Sequence, residues 1–457
     1  MSLIKSISGI RGTIGGKTGD NFTPVDIVAC CAGYGTWLKI DHGNPKVVIG
    51  RDARISGPMV QELAVQTLIG LGIDVIDLGL STTPTVEMAL VSNQAHGGII
   101  ITASHNPEDW NALKFLNHRG EFISGEDGEE ILAIIDAQEY DFATVDQLGT
   151  RAFDKTALQR HIEAIMALEL VQVEQVRNRK LKVAVDCINS TGSISIAPLL
   201  DALGCDYQLI NDDLSGRFKH NPEPLPAHLT ELSTMMIQGD FDLGIAVDPD
   251  VDRLVFVCED GSMFGEEYTI VALADYILQY EGGATVSNLS STQALRDVTV
   301  RHGYNYHGAS VGEVNVVAKM KAVKATFGGE GNGGVIYPRL HYGRDALVGI
   351  ALMLSHLVKS KKTMSQLRLA LPEYTISKKK VALKKGLNPD EILEKLRVKY
   401  QDIEQNREDG LKLIFNGEWV HMRKSNTEPI IRIYAESTTS SKADKLANRF
   451  LEEINQL

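Results

Sequence analysis

Short apolar runs, rich in β-branched residues and bounded by turn formers, alternate along most of this chain with stretches of helical periodicity. The clearest run is Gly97 to Ile101 (GGIII), which has no polar face and therefore fits a strand buried on both sides. The chain then breaks into Thr102, Ala103, Ser104, His105 and Asn106, and Pro107 stops the strand. A hydroxyl, an imidazole and an amide thus crowd the carboxyl end of a core strand, where open α/β sheets place their ligands. The same residues are also ordinary turn formers, so the stretch has two readings when taken alone.

The alternation repeats. In the first unit the pattern predicts a helix over Thr23 to Ile40, with Thr23 as N-cap and Pro24 in the first turn. Strands follow at Lys46 to Ile49, Gly72 to Leu78 and Gly98 to Ile101, with helices at Pro58 to Leu71 and Pro84 to Val91 and a loop at Gly50 to Arg54. Such alternation predicts a parallel sheet with crossover helices. A second pass runs through Lys182 to Asp186, Ile194 to Leu203, Gly204 to Ile210, Leu229 to Ile237 and Phe241 to Val247. A third runs through Thr285 to Leu289, Ser291 to Arg301, Gly303 to His307, Val314 to Ala322 and Ala325 to Gly328. Each third strand leads into a polar loop: TASHNP, then Asp248 to Arg253 (DPDVDR), then Gly329 to Gly334 (GEGNGG). Equivalent repeat positions allow the three loops to converge if the units pack around one cleft.

After about Leu371 the character changes to a basic stretch, Ser377 to Lys385, and an amphipathic helix, Glu391 to Tyr400. Strands are expected at Leu411 to Phe415 and Glu418 to Met422 around the Asn416-Gly417 hairpin turn, then at Ile430 to Ala435, with a final helix from Lys442 to Ile454. The expected fold class is α/β, with three similar mixed α/β units in tandem around a central cleft plus a smaller C-terminal α+β domain. The boundaries are placed at 1–147, 148–252, 253–371 and 372–457, with Asp136 to Asp146 joining the first two units.

Composition supports this size of architecture. At 457 residues, 43% hydrophobic and 23% charged, the chain can bury several cores. Its net charge is −13, which argues against a nucleic-acid partner but leaves room for an anionic small substrate in a local basic pocket. The five cysteines form no CxxC pair and read as buried thiols of a reducing compartment. The N-terminal segment lacks the apolar core of a signal peptide, and no run approaches a membrane span. A cytoplasmic protein without a membrane partner is expected.

The loops carry the chemistry. DPDVD sets carboxylates at alternate positions, an all-oxygen set suited to a hard cation such as Mg²⁺. An EF-hand is excluded, because its sixth position requires Gly and here is Arg253, followed by the strand-like Leu254 to Val257. GEGNGG lacks the Lys-Ser/Thr ending of a P-loop, and Glu330 and Asn332 suit sugar hydroxyls instead. Arg423 to Pro429 (RKSNTEP) mixes cations, hydroxyls and a turn, which suits a phosphate. Near the start, Arg11 is held between Gly9 and Gly12.

TASHNP, DPDVDR, GEGNGG and RKSNTEP, in that order, closely resemble the motifs of the α-D-phosphohexomutase family over essentially the whole chain. The resemblance implies that Ser104 carries the phosphoryl group. It implies that Asp248, Asp250 and Asp252 hold Mg²⁺ together with the phosphoserine, and that Arg253 contacts substrate. It places sugar recognition on Glu330 and Asn332, and the distal phosphate on Arg423, Ser425, Asn426 and Thr427. Arg11, His105 and Lys114 match positions beside the reacting phosphate, and either His105 or Lys114 could be the general base. The implied partner is a small-molecule sugar phosphate, with a hexose 1,6-bisphosphate as intermediate and activator, in a monomer or homodimer. Many relatives carry a GExSGH pattern where this chain has Asn332 and Gly334. An asparagine there is similar to the acetylglucosamine-phosphate mutases, which favours glucosamine phosphate over mannose and glucose phosphates. A non-catalytic sugar-phosphate sensor and a plain phosphomonoesterase are the competing readings.

Overall fold

The structure is a computed structural model that describes residues 2–6, 9–383, 388–424 and 430–456. The chain divides into two compact units, Met1–Thr269 with Gly333–Ser365, and Ile270–Asn332 with Gln366–Leu457.

In the first unit, the apolar strand Gly97–Ile101 lies inside a seven-stranded sheet, between Lys46–Arg51 and Trp110–Leu116. Burial on both faces is as its composition predicts. Ile99 and Ile101 join a core with Ile27, Val47 and Ile49, whereas Ile100 packs with Val48, Val86 and Leu90 on the opposite face. Helix Pro24–Asp41 starts after Thr23, whose backbone N–H is bonded by Asp26, a capping box with Pro at the first turn.

The sheet is mixed: the parallel strands that the alternation predicts are joined by antiparallel ones. Lys46–Arg51, Asp74–Leu80, Gly97–Ile101 and Arg151–Phe153 run parallel to their neighbours among themselves. Trp110–Leu116 returns antiparallel beside Gly97–Ile101, and Gly9–Thr13 is antiparallel to it in turn. The loop after Ser104 is therefore the bend between two adjacent strands, and Lys114 stands opposite Ile100 in register. The loop predicted at Gly50 to Arg54 begins later, because Gly50 and Arg51 continue the strand. The acidic stretch after Asp136 starts inside helix Gly125–Ala137 and leads first to Arg151–Phe153, the edge strand of the same sheet.

A second sheet in this unit has the order Leu254–Cys258, Leu243–Val247, Lys182–Asp186, Asp206–Ile210. Leu254–Cys258 is again antiparallel to the strand before the polar loop. The same device thus recurs: a core strand, a charged loop, and a return strand. Helix Ala346–Ser360, buried from Ala346 to Leu357, has no counterpart among the elements expected from the sequence.

In the second unit, Thr285–Asn288 is flanked in parallel by Tyr306–Ala309 and Phe327–Glu330. Two of these strands start later than the pattern suggested. Gly303 (φ +83°) and Lys324 (φ +52°) are left-handed residues that end the preceding helices, so their neighbours are used up in closing turns. The C-terminal sheet has the antiparallel order Thr375–Ala382, Ile430–Ser437, Glu418–Lys424, Leu411–Phe415, Glu404–Asn406, packed by helices Pro389–Lys399 and Ser440–Gln456. All five cysteines are buried and free. No helix among the described residues is long and apolar enough to cross a membrane.

Candidate active site

The backbone presents Ser104 in an unusual way. Its φ is +48°, a left-handed conformation that a residue with a Cβ adopts only when its surroundings enforce it. Thr102 accepts the Ser104 N–H on Oγ1 at 2.9 Å and donates its own hydroxyl to Asp52 Oδ2 at 2.7 Å. Arg54 completes the hold. Its guanidinium is fully buried, and Nε pairs with Asp52 Oδ2 at 3.1 Å. Nη2 donates to the carbonyls of Ser104 and Asn106, and Nη1 to those of Pro107 and Trp110, at 2.5 to 3.0 Å. All five N–H groups are thus used, four of them on the turn that carries the serine.

The metal-type loop closes on this serine. Ser104 Oγ donates to Asp248 Oδ2 at 2.6 Å and lies 3.3 Å from His105 Nδ1. Asp248 Oδ1 accepts the N–H groups of Asp252 and Arg253, and Val251 takes a φ of +60° as the loop turns back. Ser190 and Thr191 each donate at 2.7 Å to the carbonyl of Pro249, which fixes the loop from below. Asp248, Asp250 and Asp252 are fully buried, with carboxylate oxygens within 4.8 Å of one another.

Cations and donors surround this negative cluster. Lys114 Nζ is 2.9 Å from Asp250 Oδ2, and Thr83 Oγ1 donates to the same oxygen at 2.6 Å. Arg344 Nη2 lies 2.6 Å from Asp252 Oδ2. Burial, then the charges of Asp252 and Asp250, pushes the Asp248 carboxyl well above the usual range. Burial acts upward on Asp250 too, but Lys114 and Thr83 outweigh it and hold that group low. Lys114 is raised, because the aspartates overcome its own desolvation, and it is therefore protonated at neutral pH. His105 is held well below its ordinary value by burial and by the charges of Arg253 and Arg344, so its imidazole is neutral. Asp250 Oδ1 and Asp252 Oδ1 are buried without a hydrogen-bond partner among the described residues. Two such oxygens beside a third crowded carboxylate fit a hard divalent cation, whose charge would relieve both the repulsion and the missing bonds.

Ser104, His105, Lys114, Asp248, Asp250, Asp252 and Arg253 are therefore brought together in one unit. Arg253 Nη1 bonds Glu223 at 3.1 Å. Arg11 sits on strand Gly9–Thr13 opposite Ala112, on the sheet face that also carries Lys114. Glu330 is the last residue of strand Phe327–Glu330 rather than a loop residue, and it accepts from Asn288 Nδ2 at 2.9 Å and from the Gly312 N–H at 3.2 Å. Asn332 is half-buried just beyond that strand. Arg423 stands on strand Glu418–Lys424 opposite Arg432, whereas Ser425, Asn426 and Thr427 lie outside the described residues. Sequence reasoning missed Arg54, Thr83 and Arg344. Asp52 and Arg54 in a strand-end loop were a visible signal, but the roles of Thr83 and Arg344 depend on contacts across 167 and 92 residues of chain.

Comparison with known proteins finds one family along the chain. The family described as phosphoglucomutase/phosphomannomutase matches with its alpha/beta/alpha domain I over residues 3–141, domain II over 159–261, domain III over 265–374 and C-terminal domain over 379–453. A phosphoglucomutase/phosphomannomutase of Thermococcus kodakarensis is 33% identical over 97% of this chain and 98% of its own length. A probable phosphoglucosamine mutase of Methanopyrus kandleri is 32% identical over 98% of this chain and 97% of its own. The crystal structure of a phosphoglucomutase/phosphomannomutase family protein from Burkholderia thailandensis superposes with a TM-score of 0.86 at 25% identity, covering 99% of this chain and 97% of that one.

Proposed function

The chain belongs to the phosphoglucomutase/phosphomannomutase family, the phosphohexomutases, and from that premise we propose that it interconverts glucosamine 6-phosphate and glucosamine 1-phosphate through a phosphoserine at Ser104. The observation that carries the reading is the Ser104 hydroxyl, 7% exposed, forced into a left-handed turn and bonded to Asp248 inside the aspartate cluster. Phosphoryl transfer depends mainly on positioning and charge neutralisation, and this arrangement supplies both.

The phosphorylated serine gives its phosphoryl group to the O1 hydroxyl of the 6-phosphate. The bond from phosphorus to Ser104 Oγ breaks as the bond to the sugar oxygen forms, and the hydroxyl proton leaves to a base. The resulting 1,6-bisphosphate turns around, and its 6-phosphoryl group returns to Ser104 Oγ, leaving the 1-phosphate. Asp248, Asp250 and Asp252, with the Ser104 oxygen, would hold Mg²⁺, which when bound withdraws electron density from the phosphoryl oxygens. Lys114, kept protonated by the aspartates, offers counter-charge to those oxygens. His105, neutral and 3.3 Å from Oγ, is the group of the two with a lone pair free to take a proton. Glu330 and Asn332 would read the sugar. Arg423, Ser425, Asn426 and Thr427 would hold the phosphate that is not reacting.

The amino-sugar assignment rests on Asn332 and Gly334 in place of the serine and histidine of a GExSGH loop, and the name of the Methanopyrus relative agrees with it. The name of the Thermococcus relative favours a second reading, a mutase of glucose and mannose phosphates. Relative kcat/KM values for glucosamine, glucose and mannose phosphates on the purified protein decide between them. Ser104→Ala is expected to abolish mutase activity with the fold intact by circular dichroism; full activity in that variant would sink the mechanism.

A further inference from the structure

We propose that His161, His341 and Asp345 form a second metal site, distinct from the aspartate loop and suited to a borderline divalent ion of the zinc class. His161 Nε2 lies 2.9 Å, and His341 Nε2 3.2 Å, from the same oxygen, Asp345 Oδ2. These are hydrogen-bond distances, and a small outward shift brings them to the edges of a tetrahedral zinc sphere, about 3.3 Å for ligand bonds of about 2.0 Å. All three ligand atoms lie within 4.8 Å of one another.

The outer shell is what a metal site needs. Each imidazole turns its Nδ1 to an oxygen: His161 to Thr85 Oγ1 at 3.0 Å, and His341 to Glu87 Oε2 at 3.3 Å. In the tautomer with the proton on Nδ1 each ring offers its lone pair at Nε2, and both Nε2 atoms converge on one buried carboxylate oxygen. Without a cation each Nε2 must carry the proton it shares with Asp345, and a dication among the ligands takes the place of both protons. Two neutral imidazoles and the two carboxylates of Asp345 and Glu87 balance a divalent ion. Asp345 also keeps its other oxygen busy, as Oδ1 caps helix Ala346–Ser360 through the N–H groups of Leu347 and Val348. The segment reaches Glu87 only because position 343 is glycine: a Cβ there would stand 1.8 Å from Glu87 Oε2. The His161 and Asp345 side chains are fully buried, while His341 is 13% exposed and leaves an approach for the ion and a water ligand.

The site ties helix Thr83–Ser92 and helix Ala157–Met166 to the 341–345 turn. Two of those elements also grip the aspartate loop, through Thr83 on Asp250 and Arg344 on Asp252. Its role is structural, and no step at Ser104 involves it.

The test saturates the full-length protein with Mg²⁺ to fill hard oxygen sites, adds Zn²⁺, and measures retained zinc per chain after gel filtration. The wild type should hold one equivalent more than the His161→Gln/His341→Gln double variant, and zinc should raise its Tm without changing mutase activity. Co²⁺ in place of zinc should give the strong visible absorption of a tetrahedral, imidazole-ligated ion. Thr85→Val, which keeps shape but removes one backing oxygen, should weaken zinc binding about 10-fold. Equal zinc in wild type and double variant, or a Co²⁺ spectrum of the weak octahedral oxygen type, overturns the site. If the double variant does not fold, the wild-type cobalt spectrum and Thr85→Val decide alone.

Discussion

Arg54→Lys tests whether the hold on the Ser104 turn matters for chemistry. The substitution keeps a positive charge beside Asp52 but replaces a planar fork of five donors with a single ammonium carrying three. Lysine can keep the Asp52 pair and at most two more bonds, so at least two of the five seen for Arg54 are lost. Charge-assisted bonds are worth about 1.5–3 kcal/mol each, and carbonyls near the surface can regain water, so about 2–4 kcal/mol of stability should go. The larger effect falls on rate. With at least two of its four carbonyls no longer fixed, the turn lets Ser104 Oγ drift from Asp248, and a displacement of about 1 Å costs on the order of 100-fold in kcat. KM for the sugar phosphate should hardly change, because Arg54 faces the turn and not the ligand. Urea titration followed by circular dichroism gives the stability, and a coupled mutase assay gives kcat and KM. A variant that loses stability but keeps wild-type kcat would refute the claim that Arg54 positions the serine.

Other tests are independent of it. Gly333→Ala should cost more than about 1 kcal/mol and lower activity, because φ is +87° and a Cβ would stand 2.4 Å from the Leu254 carbonyl oxygen; thermal melts check it. His421 is pulled down to about 4 by burial and by the nearby charges of Lys412 and Arg423, against the opposing Asp409 carbonyl. Its unfolded form titrates near 6.5, so the unfolded chain binds the extra proton, and stability present above pH 6.5 is lost as pH falls toward 4, on the order of 3 kcal/mol. Denaturation from pH 7 to 4 should show this fall, and His421→Gln should flatten it. Chelation should abolish mutase activity and added Mg²⁺ should restore it, with Asp250→Asn requiring more Mg²⁺; activity unaffected by thorough chelation would remove the aspartate cluster from the reaction.

Local chemistry made much of this protein legible. The isoleucines of Gly97 to Ile101 fit a strand buried on both faces, and the repeat of strand, helix and polar loop put the serine and aspartate loops at strand ends. Those features depend on neighbours in sequence: periodicity, proline, glycine and the spacing of carboxylates. The return strand Trp110–Leu116 escaped, because strand direction is a property of pairing and not of composition. Helix Ala346–Ser360 escaped as well, and its burial from Ala346 to Leu357 is a product of packing. The environment of Ser104 was a tertiary decision as well. Arg54, Thr83, Lys114 and Arg344 reach the site from separate segments, and only packing makes their charges and donors coincide there. Chain-local chemistry settles which loops carry reactive groups; packing sets their protonation and aim, because burial and the distance to opposite charge exist only once distant segments meet.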